Sequence, residues 1–553
     1  MNVSSNAAAV TPKGTSAGAS MVSAASRPLP LWARLFMPSI ADIVFVALLC
    51  AIFGFLGTQL LGDADIGWHI RNGQHILSTH SVPMTDYFSY TMAGQPWYAW
   101  EWLYDVLVAG IHSVAGLSGV VLLSALIGAM TFALLFRDAM RSSGNLLVAG
   151  GLTALAAVAA SIHLLARPHM VTWLFTLIWF QQLDSFQRGE RKSLFLLPAL
   201  MLLWVNLHGG FLMGIAVTAL FLAGNAMTWI ITSNSESRSQ AQGRMRHLGL
   251  TLLLTLGVTF ITPYGFRLHA HLYEYLGSKF MMNNIQEFLS PDFHLFQVKA
   301  FALLLILAML ALVLQSRKVS VIDFLVIAFS AWIGLYAVRN IPIAAMLLTL
   351  TVAPMLGEAF RNGGQNIGIA PWLRNLATKI DRFSARMQVM DQRFRGHVLS
   401  VVVALLLVAG AATRGASALN AQALHFDDKH MPVQAAEFMA AHNIRDHFFA
   451  PDNWSGYLIY RLYPDVRVMM DDRHDFYGEK FVREYLKVAQ AAYGWRDVLN
   501  SHQVNWVLVP PDSPLASTLK ETTDWKVVHD DGTAILFERT APPAVPGTVQ
   551  RQR

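Results

Sequence analysis

The stretch Ile40 to Arg71, IADIVFVALLCAIFGFLGTQLLGDADIGWHIR, decides how the rest of the chain is read. Its first part, Ile40 to Leu61, is an apolar run long enough to cross a bilayer. Its second part, Gly62 to Arg71, is an acidic and aromatic loop carrying Asp63, Asp65, Trp68, His69 and Arg71. Ionisable groups at a bilayer exit are costly to desolvate, so such a cluster marks a functional site. The loop stays polar and aromatic through Asp86 and Trp97 to Glu101 before the chain becomes uniformly apolar again.

Composition supports the same class. Of 553 residues, 54% are hydrophobic and 14% charged, where a soluble protein carries about 25% charged residues. The chain reads as an α-helical polytopic membrane protein. Its single cysteine, Cys50, lies inside the first apolar run, which excludes a disulfide framework and a cysteine-based metal site. The net charge of +6 suits Lys/Arg-rich cytoplasmic loops and gives no reason to invoke nucleic acid. Residues 1–37, rich in Ala, Ser, Gly and Thr over their first thirty or so positions, read as a disordered cytoplasmic tail, and the first apolar run reads as a retained anchor.

Roughly eleven transmembrane segments are expected, near 40–61, 116–136, 144–165, 169–186, 193–208, 211–233, 248–264, 295–315, 321–338, 341–360 and 398–415. Arg137 and Arg141, Arg188 to Lys192, Arg238 to Arg246, Arg317 and Lys318, and the basic segment 361–395 all fall on one side, which the positive-inside rule makes cytoplasmic. Arg27 and Arg34 put the N-terminus there too. The opposite side then holds the first outer loop, 62–115, and everything after the last span. Within that loop, the aromatic residues 98–114 read as a helix lying at the interface. The membrane domain occupies 38–416. Residues 417–541 alternate helical patterns (Val433 to His442, Glu479 to Tyr493) with β-rich runs (Val466 to Met470, Trp506 to Val509, Ala534 to Phe537) and read as an extracytoplasmic α/β domain before a tail, 542–553.

Several polar clusters are expected at the outer edge beside the first loop: Arg167-Pro168-His169, Asn206 to Gly210 with His208, Thr262 to Arg267 with Tyr264, Glu287, and Arg339-Asn340. Each has a plainer reading. The arginines can snorkel to headgroups, Asn206 and His208 can cap a helix turn, and Glu287 can be a solvated loop acid. Helix capping, however, needs one carboxylate rather than two around an alanine, and basic groups from separate loops beside an acidic one suit an anionic lipid headgroup and acid–base chemistry. In the C-terminal domain, Asp472-Arg473 either faces this site or forms internal salt bridges.

These residues resemble the GT-C superfamily of polytopic glycosyltransferases, whose members include protein mannosyltransferase and aminoarabinose-transferase types. The likeness to bacterial members rests on D-x-D-x-x-W-H-x-x-x-G (Asp63, Asp65, Trp68, His69, Gly73) and V-P-x-x-D (Val82, Pro83, Asp86). Arg167-Pro168, Asn206-x-His208-Gly209-Gly210, Pro263-Tyr264-Gly265 and Arg339-Asn340 follow in order, and the resemblance spans nearly all of 38–540. Thr262 stands where the pattern leads one to expect asparagine.

The resemblance implies an inverting transfer from a polyprenyl-phosphate sugar to a hydroxyl on a lipid, glycan or protein acceptor, at the outer face of the bacterial inner membrane. Asp65 or Asp63 would be the general base. His69, Arg71, Asp86, Glu101, Arg167, His169, Asn206, His208, Tyr264, Arg267, Glu287, Arg339, Asn340, Asp472 and Arg473 would bind substrate, the arginines holding phosphate bidentately. Some superfamily members use a divalent cation, and Asp63 with Asp65 suits Mg²⁺ or Mn²⁺; the sequence does not compel one. A transporter or flippase of a lipid-linked saccharide, and a surface-glycan polymerase or ligase, share much of this pattern. A transporter places polar groups near the bilayer midplane and often shows repeats, and neither is visible here.

Overall fold

The computed structural model describes residues 30–314, 319–363, 370–394, 396–412 and 424–540. Most of the N-terminal tail, the boundary between the expected domains at 416/417 and the tail 542–553 lie outside the described residues. Within the expected tail, Leu31–Phe36 is helical, as a run of good helix formers allows.

Among the described residues, five helices are long and apolar enough to cross a membrane: Trp102–Ser143, Leu146–His163, Gly209–Ile231, Phe296–Leu314 and Val338–Gly363. Shorter apolar helices, Ile40–Gly54, Leu196–Leu207, Val321–Tyr336 and Val398–Ala412, stand at other expected positions. His169–Gln187 and Ser235–Val258 stand at the remaining two. The segment Ile341–Gly363 forms the middle of the bundle, with nearly every residue from Ile341 to Gly357 buried. The first helix starts at a capping box, in which Ser39 and Asp42 satisfy each other's backbone N–H groups. It stops at Gly54, short of the expected Leu61, and a 3₁₀ turn, Gln59–Leu61, carries the chain outward.

One reading of the first loop is corrected. The acidic stretch is not an open loop: Asp65 begins a helix, Asp65–Thr79, with its carboxylate in the first turn, where the helix dipole favours negative charge. The aromatic segment expected as a helix over 98–114 is helical from Trp102, and a kink at Gly116, with φ 60°, ψ −156°, sets it off from the apolar helix that runs on to Ser143. Gly73 lets the Asp65–Thr79 helix lie against the aromatic segment, since a Cβ there would sit 1.9 Å from the Asp105 carbonyl oxygen.

The C-terminal domain holds a four-stranded sheet in the order β1-β2-β4-β3, with β1 Phe448–Phe449, β2 Trp506–Val509, β3 Trp525–Asp530 and β4 Ile535–Arg539. β1 pairs parallel with β2, and the other pairs are antiparallel. Helices Asp452–Leu462, His474–Ala489 and Trp495–Ser501 make the crossover between β1 and β2. The run Val466 to Met470, expected as a strand, joins no sheet. It is extended chain whose Val468 bridges to Ser89 of the first loop, so its alternation reflects inter-domain packing.

That bridge is one of several ties between the domains. Thr91 Oγ1 donates to the Met469 carbonyl at 2.5 Å, and Arg71 Nε donates to the Tyr460 carbonyl at 2.9 Å. Gly67 and Gly456 meet backbone to backbone, each leaving no room for a Cβ. The first loop and the C-terminal domain therefore form one continuous wall above the helices.

Candidate active site at the seam of the two domains

A cavity of about 810 Å³ opens where the membrane helices, the first loop and the C-terminal domain meet. Its walls hold two concentrations of ionisable groups.

The first centres on Arg167, which sits in the turn before the His169–Gln187 helix. The neighbouring Ala166 N–H donates to the Leu60 carbonyl at 2.8 Å, which fixes this turn against the exit of the first helix. Arg167 Nη1 lies 2.9 Å from Asp63 Oδ2 and 2.9 Å from Glu287 Oε1, and Nη2 lies 2.6 Å from Asp65 Oδ2. Arg339 Nη1 approaches Glu287 Oε2 at 3.8 Å, and its guanidinium covers the Phe288 ring. Burial pushes the Glu287 carboxyl up, but Arg167 and Arg339 beside it win and hold it below the usual range. Asp63 is pushed up to about 6, by burial first and by Asp65, against the pull of Arg167. Asp63 Oδ1 accepts the Asp65 N–H at 2.8 Å. Asp65 is 2% exposed, and its Oδ1 has no hydrogen-bond partner.

The C-terminal domain adds three groups to this wall. Carboxylate oxygens of Asp63, Asp65 and Asp472 lie within 4.8 Å of one another, and so do ligating atoms of Asp452, Asp472 and His474. Burial, then the carboxylates of Asp65 and Asp452, push Asp472 well above the usual carboxylate range.

The second concentration surrounds Glu101, the residue before the Trp102–Ser143 helix. Its two oxygens face His208 Nε2 at 3.5 Å and His69 Nε2 at 3.6 Å. His69 Nδ1 is 2.6 Å from Asp105 Oδ1, whose other oxygen accepts from Asn72 Nδ2 at 2.6 Å. The Gly210 N–H donates to His208 Nδ1 at 3.0 Å, so neutral His208 carries its proton on Nε2, toward Glu101. Burial pushes His69 down to about 3, and burial, then Asp105, push Glu101 well above its ordinary value. The pair thus favours a neutral imidazole beside a protonated acid.

Of the residues singled out from sequence, the cavity brings together Asp63, Asp65, His69, Glu101, Arg167, His169, His208, Glu287, Arg339, Asn340, Asp472 and Arg473. Arg71, Asp86, Asn206, Tyr264 and Arg267 do not line it. Four of these have structural work instead. Arg71 docks on the Tyr460 carbonyl, and Asp86 accepts from Arg473 Nη2 at 2.8 Å. Asn206 joins the Trp102 indole to the Leu202 and Ile261 carbonyls, while the Tyr264 hydroxyl joins Pro83 to Ala99. Thr262 Oγ1 accepts the N–H groups of Tyr264 and Gly265, the same turn an asparagine would make, so the departure keeps its structural role. Arg473 reaches the cavity wall; its Nε and Nη2 are taken by Asp471 and Asp86, while its buried Nη1 has no hydrogen-bond partner.

Sequence reasoning missed Asp105, His163, Asp452 and His474, which also line the cavity. Asp105 was visible as an acid four residues after Glu101, on the same helical face. His474 was visible two residues after Asp472; Asp452 left no local signal.

No family model matches the sequence, and no curated protein matches it. Solved structures do match the fold. The oligosaccharyltransferase of Archaeoglobus fulgidus in its apo form aligns with a TM-score of 0.51 at 11% identity, over 85% of this chain and 68% of that one. The same enzyme tethered to an acceptor peptide containing the NVT sequon aligns at 0.51 and 11%, over 91% and 74%. The chain accordingly shares the fold of this oligosaccharyltransferase, and it is a polytopic helical membrane protein with a C-terminal α/β domain.

Proposed function

We propose that the chain is a membrane glycosyltransferase, moving a sugar from a polyprenyl-phosphate donor to an acceptor hydroxyl with inversion, on the extracytoplasmic face of a bacterial inner membrane. The observation that carries this reading is the meeting of Arg167 and Arg339 with the first-loop acids in one cavity at the membrane edge. The GT-C fold supports it over a flippase.

In this reading Asp63 is the base, since its side chain is 21% exposed against 4% for Asp65, while Arg167 holds one oxygen of each. The acceptor O–H gives its proton to the carboxylate, the oxygen bonds to the anomeric carbon, and the carbon–oxygen bond to phosphate breaks with its electron pair on the leaving phosphate. Phosphate is already a good leaving group, so charge near it matters more than a proton. Arg167 and Arg339 supply that charge as planar forks. Glu101 with His69 and His208 offers donors and acceptors that position the acceptor hydroxyl. The residues also fit a divalent cation. Asp65 Oδ1 is a buried carboxylate oxygen without a partner, among further carboxylates. Asp63 and Asp65 would hold the ion, and its contribution would be positive charge for the donor phosphate. Donor sugar and acceptor, whether lipid, glycan or protein, are set by contacts beyond these residues.

The direct test is purified protein incubated with a panel of polyprenyl-phosphate sugars, scored for sugar transfer and released polyprenyl phosphate. Movement of intact lipid across proteoliposomes, with no release under any acceptor, would instead establish the flippase. Within this assay Arg167→Lys keeps the charge and loses the fork, so a substantial loss is expected. Arg167→Ala removes a charge-assisted bond of about 1.5–3 kcal/mol, on the order of tenfold to a hundredfold in rate or donor affinity. Equal activity of both variants and the parent would remove Arg167 from the phosphate site.

Orientation is tested separately, with Cys50 replaced. Cysteines placed at the exposed positions Ser81 and Lys429 are expected to react with an impermeant thiol reagent in intact cells, and one at exposed Glu236 only after lysis. The reverse pattern would put the cavity on the cytoplasmic side.

A further inference from the structure

We infer that the helix Pro371–Arg393, together with the short helix Leu31–Phe36 beside its end, lies in the headgroup region of the leaflet opposite the cavity and binds anionic phospholipid there. Its depth follows from what it touches. The membrane helices Ile40–Gly54 and Leu146–Ala160 both lead toward cavity-lining residues, Asp63 after the first and His163 after the second. Their first turns therefore mark the opposite end of the bundle. Asp391 Oδ1 accepts the Ile40 N–H at 2.6 Å, and Ser384 Oγ accepts the Leu146 N–H at 3.2 Å. A helix start leaves such donors without an intrahelical partner, and here Pro371–Arg393 supplies one to each span. Ser384 and Asp391 stand about two turns apart on one face of the helix. That face holds the helix level with the ends of both spans.

The other faces suit a lipid surface. Leu373, Leu376, Ile380, Phe383 and Met387 recur at alternating steps of three and four residues and form one apolar stripe, which Trp372 extends. Among the described residues nothing covers its outer part: Trp372 is 67% exposed, and Leu373, Leu376 and Phe383 are exposed with it. Lys379, Arg382 and Arg386, all exposed, form a rim along one side of the stripe. The acids of the helix, Asp381 and Asp391, are half-buried instead. An apolar stripe edged by cations fits a surface that is apolar within and anionic at its edge. The basic side chains keep their charge among headgroups while their stems lie on apolar surface. The helix Leu31–Phe36 enlarges the patch. The Gly396 N–H donates to the Met37 carbonyl at 3.1 Å, and a Cβ on Gly396 would meet the Leu35 carbonyl oxygen at 2.3 Å, so the two segments meet backbone to backbone. Trp32, Leu35, Phe36 and Met37 are exposed there, and tryptophan prefers the membrane interface. A soluble partner would have to reach a face already at the bilayer edge, where the leaflet itself stands.

The test uses full-length protein with Cys50 replaced, spin-labelled at Phe383→Cys on the stripe or at Ala385→Cys on the opposite, exposed face. Each is placed in nanodiscs of phosphatidylcholine, with and without phosphatidylglycerol, and followed by electron paramagnetic resonance. The Phe383→Cys label should be relaxed by oxygen, which dissolves in the bilayer, and shielded from a water-soluble nickel chelate. The Ala385→Cys label should show the reverse. Phosphatidylglycerol should shift the Phe383→Cys label further toward oxygen, and combining Lys379→Gln, Arg382→Gln and Arg386→Gln should abolish that shift. Gel filtration identifies variants that fold. If the triple variant does not, the parent label in high salt decides, because screening of the headgroup charge should abolish the same shift. Equal accessibility of the two labels, or a Phe383→Cys label open to nickel, would overturn the docked helix. So would a label shielded from both reagents and broadened by a label on a second copy, which would assign the stripe to self-association. No shift with phosphatidylglycerol, or a shift that survives charge removal and salt, would overturn the anionic-lipid site.

Discussion

Asp63→Asn is expected to leave the protein folded and reduce sugar transfer by about 10²–10⁴-fold, the usual contribution of a positioned general base. The amide keeps the volume of the carboxylate and still accepts the Asp65 N–H that Asp63 Oδ1 accepts now, so the local turn survives. What it loses is the capacity to take a proton. Measured without added divalent cation, donor binding should persist in this variant, because Arg167 and Arg339 are untouched, whereas Arg167→Ala should weaken it. This split between binding and turnover separates a base from a phosphate ligand. Full turnover by the Asp63→Asn protein would remove the first-loop acid from the proton transfer and point to the Glu101–His69 pair.

The largest effect on stability is expected at Arg473. Its Nη2 lies 2.8 Å from Asp86 of the first loop and 2.6 Å from Asp471, and all three side chains are almost fully enclosed. The guanidinium also stands 4.4 Å from the centre of the Trp97 ring. Arg473→Met fills a similar volume but strands two buried carboxylates, and breaking a buried pair in this way costs about 3–5 kcal/mol. Thermal unfolding in detergent should therefore shift clearly downward, with protease releasing the C-terminal domain more readily. Arg473→Lys restores the charge without the fork and should fall between. A melting temperature unchanged by Arg473→Met would show that this ion cluster does not hold the domains together.

Asp86 and Arg473 were both singled out as substrate-binding, for sound reasons: each is ionisable, at the membrane edge, in a polar stretch. The structure pairs the two across the domain interface, because burial makes each the other's counter-ion, and of the two Arg473 alone also lines the cavity. The same happened at Asn206 and Tyr264, whose hydrogen bonds close turns between helices. A polar residue at a bilayer exit signals that something must satisfy it, and sequence does not say whether the partner is substrate or protein. Glu287 went the other way. A solitary acid in a long loop reads as solvated, yet it sits between Arg167 and Arg339.

By itself the sequence determined the membrane class, the places of the apolar helices, and the existence of a polar, acid-bearing segment after the first of them, followed at the far end by a small α/β domain. These are local properties. Apolar length follows from bilayer thickness, and periodicity follows from the geometry of a helix or strand within a few residues. Tertiary structure alone decided which charged groups meet. Asp63 finds Arg167, Glu287 and Asp472 across hundreds of residues, and Asp65 Oδ1 is left without a partner only because of how those elements pack. The energies that fix such meetings, desolvation of buried charge against its pairing, depend on distance in space and leave no period along the chain.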